Sequence, residues 1–455
     1  MTWLLPIAGC FDEGPGVDSS PQSSSSGDTT GEGTDATTGT TTLSETASGS
    51  GSESVDSGSV DSSSGTAGAP VCGDGVVAGD ELCDDGNDTP GDGCSGCVPS
   101  GTVVWSYTAG TDVDDEGAEA LMLRPADLVV VGGIATAGND RDVWVQLLDL
   151  DGGAVARVTA DGESQDDRAF AVAPGADGGF TVAGGVARVT PSGELWLGRF
   201  DQDATLVEES EQGSTPEFDL GLGVAPLPNG GVVVAGQSTA LDADSDGWLM
   251  VFDGITHVDE VRCDCGFLGT ARRVTSTPAG ALASVWFEDF SWHLRGYQGA
   301  IDTMSVPAWD QSLDNVIGEV ALAQAPDGNL HVCGAMSGFN DVELWWGVFS
   351  PQGDPQLDAS FDLGDGDQEC QALDVRGGRA VLAGTIDVGA GKKTSVVTAI
   401  DVANATPVYQ AEIAIEDAGW TRVRGIAVDG DAVYVVGGYG PTEHETDAFA
   451  ARLVH

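Results

Sequence analysis

The chain has 455 residues, and its 17 Lys and Arg against 73 Asp and Glu give a formal net charge of −56 at pH 7. That balance leaves no basic stripe for nucleic acid and no polybasic patch for anionic lipid. No apolar run reaches the roughly 18 residues of a membrane-spanning helix, while 67 glycines point to many tight turns.

Residues 1–10 end in Ile7-Ala8-Gly9-Cys10. An aliphatic residue, two small ones and a cysteine resemble the lipobox of bacterial lipoproteins, and the resemblance implies lipidation at Cys10. A signal peptide also carries a positive n-region, yet the first basic residue is Arg124. The expectation is therefore a start codon further upstream. Residues 11–70 hold 37 Ser, Thr or Gly and no Lys or Arg. Too little apolar surface is available there to offset ordering entropy, so a disordered linker is expected. Sixty such residues span about 40–45 Å, enough to lift the remainder of the chain off a membrane.

Residues 71–99 form the next unit. Cys72-Gly-Asp-Gly, Cys83-Asp-Asp-Gly-Asn and Gly91-Asp-Gly-Cys94-Ser, followed by Cys97, fall within 26 residues. These blocks resemble the cysteine-rich repeat of myxobacterial surface proteins. Four cysteines in so short a piece read as two disulfides with three possible pairings, which implies an oxidising compartment. Zinc competes weakly, since only Cys94 and Cys97 have the spacing of a zinc pair. The oxygen-rich loops (Asp74, Asp84, Asp85, Asn87, Asp88, Asp92) suit either calcium or turn-making.

From residue 101 to 455 the chain repeats. A short apolar strand ends at Gly132, Gly184, Gly236, Gly334, Gly384 and Gly437, with a degenerate copy ending at Trp286. Twelve residues after each Gly stand Trp144, Trp196, Trp248, Trp346, Val396 and Phe449; the degenerate copy carries Trp292 early. Gly-containing turns such as Asp177-Gly178-Gly179 precede the strands and signal hairpins. The second unit reads as strands at 169–173, 180–183, 195–200 and 204–209. Four strands in about 50 residues is the pattern of a β-propeller blade. The units are similar to the bacterial β-propeller repeat called SBBP, the last one most closely (Gly425-Ile-Ala-Val, Ala432 to Gly437, Asp447 to Leu453). The expected fold is all-β, a seven-bladed propeller. The last unit lacks its fourth strand, so residues 102–107 are expected to supply it and close the ring.

No motif for metalloprotease, nucleophile-elbow or cysteine–histidine chemistry occurs, and the five histidines are scattered. The blade tryptophans read as packing. Asp242-Ala-Asp244-Ser-Asp246-Gly opens like a calcium loop, with Asp253 where such a loop ends. Acidic pairs at 114–115, 166–167, 365 and 367, and 416–417, with Asp140, Asp142 and Glu445, are expected to share one loop face and draw cations or basic partners. Cys333 and Cys370, on neighbouring units, are placed to form a disulfide. Cys263 and Cys265 either pair with each other or stay reduced. The expectation is a monomeric envelope or secreted lipoprotein that touches the membrane only through its anchor. Its propeller would bind a protein or glycan. The alternative is a propeller lyase or glycan hydrolase working in the central channel, disfavoured because no clustered Arg, His and acidic constellation is visible.

Overall fold

The computed structural model describes residues 71–455 apart from residues 80, 88, 111–115, 136–140, 161–165, 188–192, 214–217, 240–244, 264–267, 278–279, 299–300, 302–305, 339–340, 365, 390–391, 416–417 and 443–444. The signal and linker (1–10 and 11–70), Cys10, Asp242 and Asp244 therefore lie outside the described residues.

Among the described residues every element is a β-strand; Cys94–Ser95 and Val98–Pro99 pair as a two-stranded sheet, and the other strands form four-stranded antiparallel meanders. The first contains Gly117–Leu123, Asp127–Ala135, Arg141–Asp149 and Ala154–Ala160, hydrogen-bonded in that order. The second and third are joined by a single parallel pair, Gly193 with Phe218. The first strands of the later meanders are Arg168–Pro174, Phe218–Pro226, Gly269–Ser276, Val316–Gln324, Asp367–Arg376 and Trp420–Asp429. Each touches the first strand of the next meander, and Trp420–Asp429 touches Gly117–Leu123. Second and third strands are buried almost throughout, whereas the outermost strands alternate between solvent and protein, as in Ala154–Ala160.

The apolar core is divided into clusters, each spanning two consecutive meanders. One joins Val129, Val145 and Leu147 of the first to Phe180, Trp196 and Phe200 of the second. Another joins Ala432, Tyr434 and Ala450 of the last to Leu128, Val130 and Trp144 of the first. Sheets packed face to face around a common axis make this a β-propeller.

The last sheet takes its fourth strand from the N-terminal side. Val103–Ala109 pairs antiparallel with Glu445–Val454, with Ser106 opposite Ala451 and Thr108 opposite Phe449. In the second unit the outer strand runs Leu206–Gln212 and not from 204. Ala204 has φ 59° and is buried in a turn where Asp201 Oδ1 accepts hydrogen bonds from the Asp203 and Thr205 amides. The local Asx turn delays the strand by two residues.

Two registers also differ from the sequence spacing. Gly334 lies opposite Trp345, not Trp346. Trp345 packs toward the preceding unit and Trp346 toward the following one. In the fourth unit Asp289 and Phe290, both at positive φ, make a two-residue hairpin. Trp292 then packs toward the fifth unit, while Trp286 fills the interface with the third.

The repeated Gly has a steric cause. A Cβ on Gly384 would lie 1.8 Å from the Glu369 carbonyl oxygen, and one on Gly236 would lie 2.1 Å from that of Leu220 and 2.3 Å from the Trp248 ring. The first strand crosses the second so closely that no side chain fits there.

In the cysteine-rich unit the disulfides are nested, Cys72–Cys97 and Cys83–Cys94. Thiolates are thereby consumed, which removes the zinc reading. Asp84 accepts hydrogen bonds from the amides of Gly73, Asp74, Gly75 and Gly86 at 2.8–3.1 Å. Its carboxyl is held below the ordinary value, by the Gly86 amide first. The unit rests on the propeller sheets: Arg379 Nε donates to the Gly91 carbonyl at 2.9 Å, and Gly91 abuts the imidazole of His455.

Candidate functional site

Every first strand breaks register at the same level, opposite the repeated Gly or its Trp286 substitute. A bulge leaves one residue unpaired and turns it off the ladder. The residues so released are Glu119, Phe170, Leu222, Arg272, Gln371 and Arg424; in the fifth unit a longer break, between Ile317 and Ala321, releases Glu319. Because first strands surround the axis, these side chains converge on it.

The convergence creates a buried ionic network. Glu319 Oε1 accepts from Arg424 Nη1 at 2.8 Å, Arg272 Nη2 at 2.9 Å and Arg422 Nη2 at 3.2 Å. The Arg424–Glu319 pair skips the intervening sixth unit, so it crosses the channel. Glu119 pairs with Arg168 at 3.2 Å and with Arg424 at 3.6 Å. Burial works to raise the Glu319 carboxyl, but Arg424, Arg422, Arg272 and Arg273 together hold it well below the usual carboxylate range. Glu119 is lowered by the same balance of burial against Arg424 and Arg168. Arg273 stands apart: its Nη1 donates only to the carbonyls of Leu222 (3.0 Å) and Arg272 (3.4 Å). Burial, then the neighbouring Arg272, pushes its guanidinium down to about 10.

A cavity of about 220 Å³ opens on the axis beside this network, and every first strand contributes to its wall. The position after each bulge is small (Ala120, Ala171, Gly223, Ala321, Ala372, Gly425) except at Arg273. The next position is aliphatic all round: Leu121, Val172, Val224, Val274, Leu322, Leu373 and Ile426. The polar groups facing the cavity are Glu119, Arg273, Gln371 and Arg424. A larger cleft, about 350 Å³, lies where Thr89 and Pro90 meet Gly377, Gly378 and Arg379. Its charged groups, Arg379 and Asp401, bind each other, so the axial cavity is the richer in recognition chemistry.

The sequence reading missed this site: where no clustered Arg, His and acidic constellation was expected, Arg and Glu do cluster, without His among the described residues. Its members lie some 50 residues apart, so no local motif joins them. A signal was nonetheless present, one large residue between two small ones: Ala118-Glu119-Ala120, Ala169-Phe170-Ala171, Gly221-Leu222-Gly223, Cys370-Gln371-Ala372.

The acidic face is corrected at two of its described members. Asp167 is fully buried and accepts from the Ala187 amide at 2.8 Å. Asp142 is buried, Asp166 pairs with Arg141 at 2.6 Å, and Asp367 accepts from the Val342 amide at 3.0 Å. Asp142 and Asp167 are thus withdrawn from that face, while Asp166 and Asp367 stay exposed. Asp114, Asp115, Asp140, Asp365, Glu416 and Asp417 lie outside the described residues. Of the calcium candidates, Asp246 is in Ser245–Asp253, opposite Ser238. Asp253 ends the same strand, seven residues and roughly 23 Å further on, so it cannot complete a loop around an ion at Asp246. The blade tryptophans Trp144, Trp196, Trp248 and Trp346 are at most 2% exposed and form the inter-sheet core. Cys333 and Cys370 are bonded across the fifth and sixth units with Cα atoms 5.8 Å apart. Cys263 is disulfide-bonded too.

Residues 62–98 match the family described as a domain of unknown function, DUF4215. No curated protein sequence matches the chain. Among solved structures, it is similar to a protein of unknown function from Bacteroides caccae (11% identity, TM-score 0.42, 64% of this chain and 94% of that one). It is similar to extracellular domains 1–2 of Drosophila Semaphorin 1b (8% identity, TM-score 0.45, 77% and 87%). It is also similar to the β-propeller domain of the Trilobed protease from Pyrococcus furiosus (10% identity, TM-score 0.40, 73% and 97%).

Proposed function

We propose that the chain is an exported, lipid-anchored protein of the cell envelope whose propeller, a closed ring of seven blades, is a non-catalytic binding module. Cys10 carries the lipid, residues 11–70 are the tether, and the disulfide-bonded units suit an oxidising compartment. Seven blades are supported by the seven repeats and by the contact of the last first-strand with the first. The ligand is a protein or glycan that presents a group to the axial cavity.

The observation that carries binding over catalysis is the state of the axial carboxylates. A glycan hydrolase or lyase needs a carboxyl or other group that trades a proton near neutral pH. Glu319 and Glu119 are lowered and locked by guanidinium groups, and no His or Tyr is among the described residues lining the cavity. The cavity can recognise, but it lacks an acid–base pair.

Two measurements test this. The purified chain is incubated with acidic and neutral oligosaccharides and examined by native mass spectrometry and by NMR of the recovered sugar. Retention of an unaltered molecule is expected, and release of cleaved or unsaturated product would put the enzyme reading in its place. Metabolic labelling with a fatty-acid analogue should mark the wild type and spare Cys10→Ala. Equal labelling would remove the anchor.

A further inference from the structure

The fourth sheet, Gly269–Ser276, Leu282–Glu288, Ser291–Tyr297 and Trp309–Leu313, is trimmed at one end. Its second and third strands are joined by Asp289-Phe290 alone, and its fourth strand reaches the fifth sheet through Asp314-Asn315 alone. The other sheet-to-sheet connections, 110–116, 161–167, 213–217, 263–268, 362–366 and 414–419, take five to seven residues each. Trp292 lies opposite Leu313, so the two short turns are neighbours at one level. The seam between the fourth and fifth sheets surfaces beside them. Phe287 and Met336 are partly buried against its core, while Phe290 and Ile317 are 64% and 40% exposed.

Asp289, Phe290 and Asn315 all have positive φ, at 47°, 65° and 67°. Asn tolerates that region and Gly is free in it, but a bulky aromatic residue is an outlier there. Phe290 buries little in return, so packing does not account for it. Strained positions of this kind gather at functional sites. The surrounding charge has one sign. Segments 287–292, 313–318 and 336–343 hold Glu288, Asp289, Asp314, Asp341 and Glu343 and no Lys or Arg. Arg295 takes Glu288, and Asp310 takes His293. Asp289 and Asp314 are exposed, one on each turn.

We infer that this trimmed end is a docking surface for an arginine-bearing segment of a protein partner, the guanidinium lying over the Phe290 ring between Asp289 and Asp314 and an aliphatic neighbour covering Ile317. Arg meets both features at once, since guanidinium stacks on aromatic faces and pairs with carboxylates. Aromatic and Arg side chains are also the groups enriched at the centres of protein interfaces. None of these residues lines the axial cavity, so the inference goes beyond the binding reading above and survives its failure.

The test uses the full chain at about 0.15 M salt, where long-range surface attraction is screened, with short peptides as probes. One carries Leu-Arg-Leu, the second Leu-Glu-Leu and the third Ser-Arg-Ser. Affinity is read by NMR titration, and the place of binding by the methyl signal of Ile317. Leu-Arg-Leu should bind at millimolar concentration and move that signal. Leu-Glu-Leu should not bind, and Ser-Arg-Ser should bind several-fold more weakly. Phe290→Gly should weaken Leu-Arg-Leu by about fivefold to tenfold. It should leave the urea midpoint unchanged or higher, because Gly takes positive φ without strain. A Phe held there by packing would lower the midpoint instead. Ile317→Ser should remove the advantage of Leu-Arg-Leu over Ser-Arg-Ser. No binding of Leu-Arg-Leu, an affinity that Phe290→Gly leaves unchanged, or a lowered midpoint in Phe290→Gly overturns the inference. So does a wild-type dimer that Phe290→Gly dissolves, which would make a second copy of the chain the occupant. Each of these outcomes is independent of whether the axial cavity retains an oligosaccharide.

Discussion

His331 and His455 are both buried, and burial pushes each imidazole down to about 4. In the unfolded chain each titrates near 6.5. Between those values the unfolded state binds more protons, so stability is full above about pH 6.5 and is lost as pH falls toward 4. The shift corresponds to roughly 3 kcal/mol for each group. Urea midpoints should drop between pH 6.5 and 4.5, and His331→Gln should flatten part of that slope; a midpoint independent of pH in this window contradicts the assignment. The repeated Gly gives a second residue-level prediction. Gly384→Ala sets a methyl against the Glu369 carbonyl at 1.8 Å, and backbone cannot yield as a flexible side chain can. A loss of about 2 kcal/mol or more in chemical denaturation is expected, against less than about 0.5 for an exposed site such as Val155. The repeated Gly was legible in the sequence as an anchor, but its cause was not. Spacing reports that a Gly recurs; only the crossing of two strands shows the carbonyl it must avoid. The same limit explains Trp346: twelve residues from Gly334 matched the other units, and a turn one residue shorter set Trp345 opposite the Gly instead.

At the scale of elements, the meander and its closing strand were legible because each rests on local signals: apolar alternation, Gly turns and a missing fourth strand. The axial site was not, because it is made by bulges, and a bulge is a mismatch between two strands that one strand's sequence does not declare. The seating of the cysteine-rich unit was equally hidden. Its contact with the ring runs through Gly91, Arg379 and His455, and His455 is held by the Tyr409 hydroxyl, 3.1 Å from Nδ1, and by its own amide donating to the Asp431 carbonyl at 2.7 Å. The unit therefore covers the imidazole that the ring's last residue offers. Removing residues 71–99 should expose it, and its pKa should climb from about 4 toward 6.5. The C2–H shift of His455 in an NMR titration reads this directly, with His331 as the internal control that should not move. An unchanged His455 would mean that the ring alone buries it.

For the molecule as a whole, stability is shared among the sheets, since the core clusters are each built from two consecutive sheets. The Cys333–Cys370 bond offers a probe of that sharing. Both sulfurs are fully buried at the interface of the fifth and sixth sheets, so a reductant reaches them only when those sheets part. The bond closes a loop of 37 residues, which the chain-entropy account values at about 3–4 kcal/mol. The strand Val103–Ala109 pairs in the last sheet, at the far side of the neighbouring sixth sheet from the bond. If the ring opens as one cooperative unit, deleting residues 103–109 must hasten reduction of a bond it does not touch. Wild-type protein in dithiothreitol, trapped by alkylation and mapped by mass, should keep the Cys333–Cys370 peptide intact for far longer than the deletion variant, by tenfold or more. Cys72–Cys97, bordering solvent at Cys72, should reduce at similar rates in both. Equal rates for Cys333–Cys370 would show that the sheets open singly and that closure of the last one protects only itself.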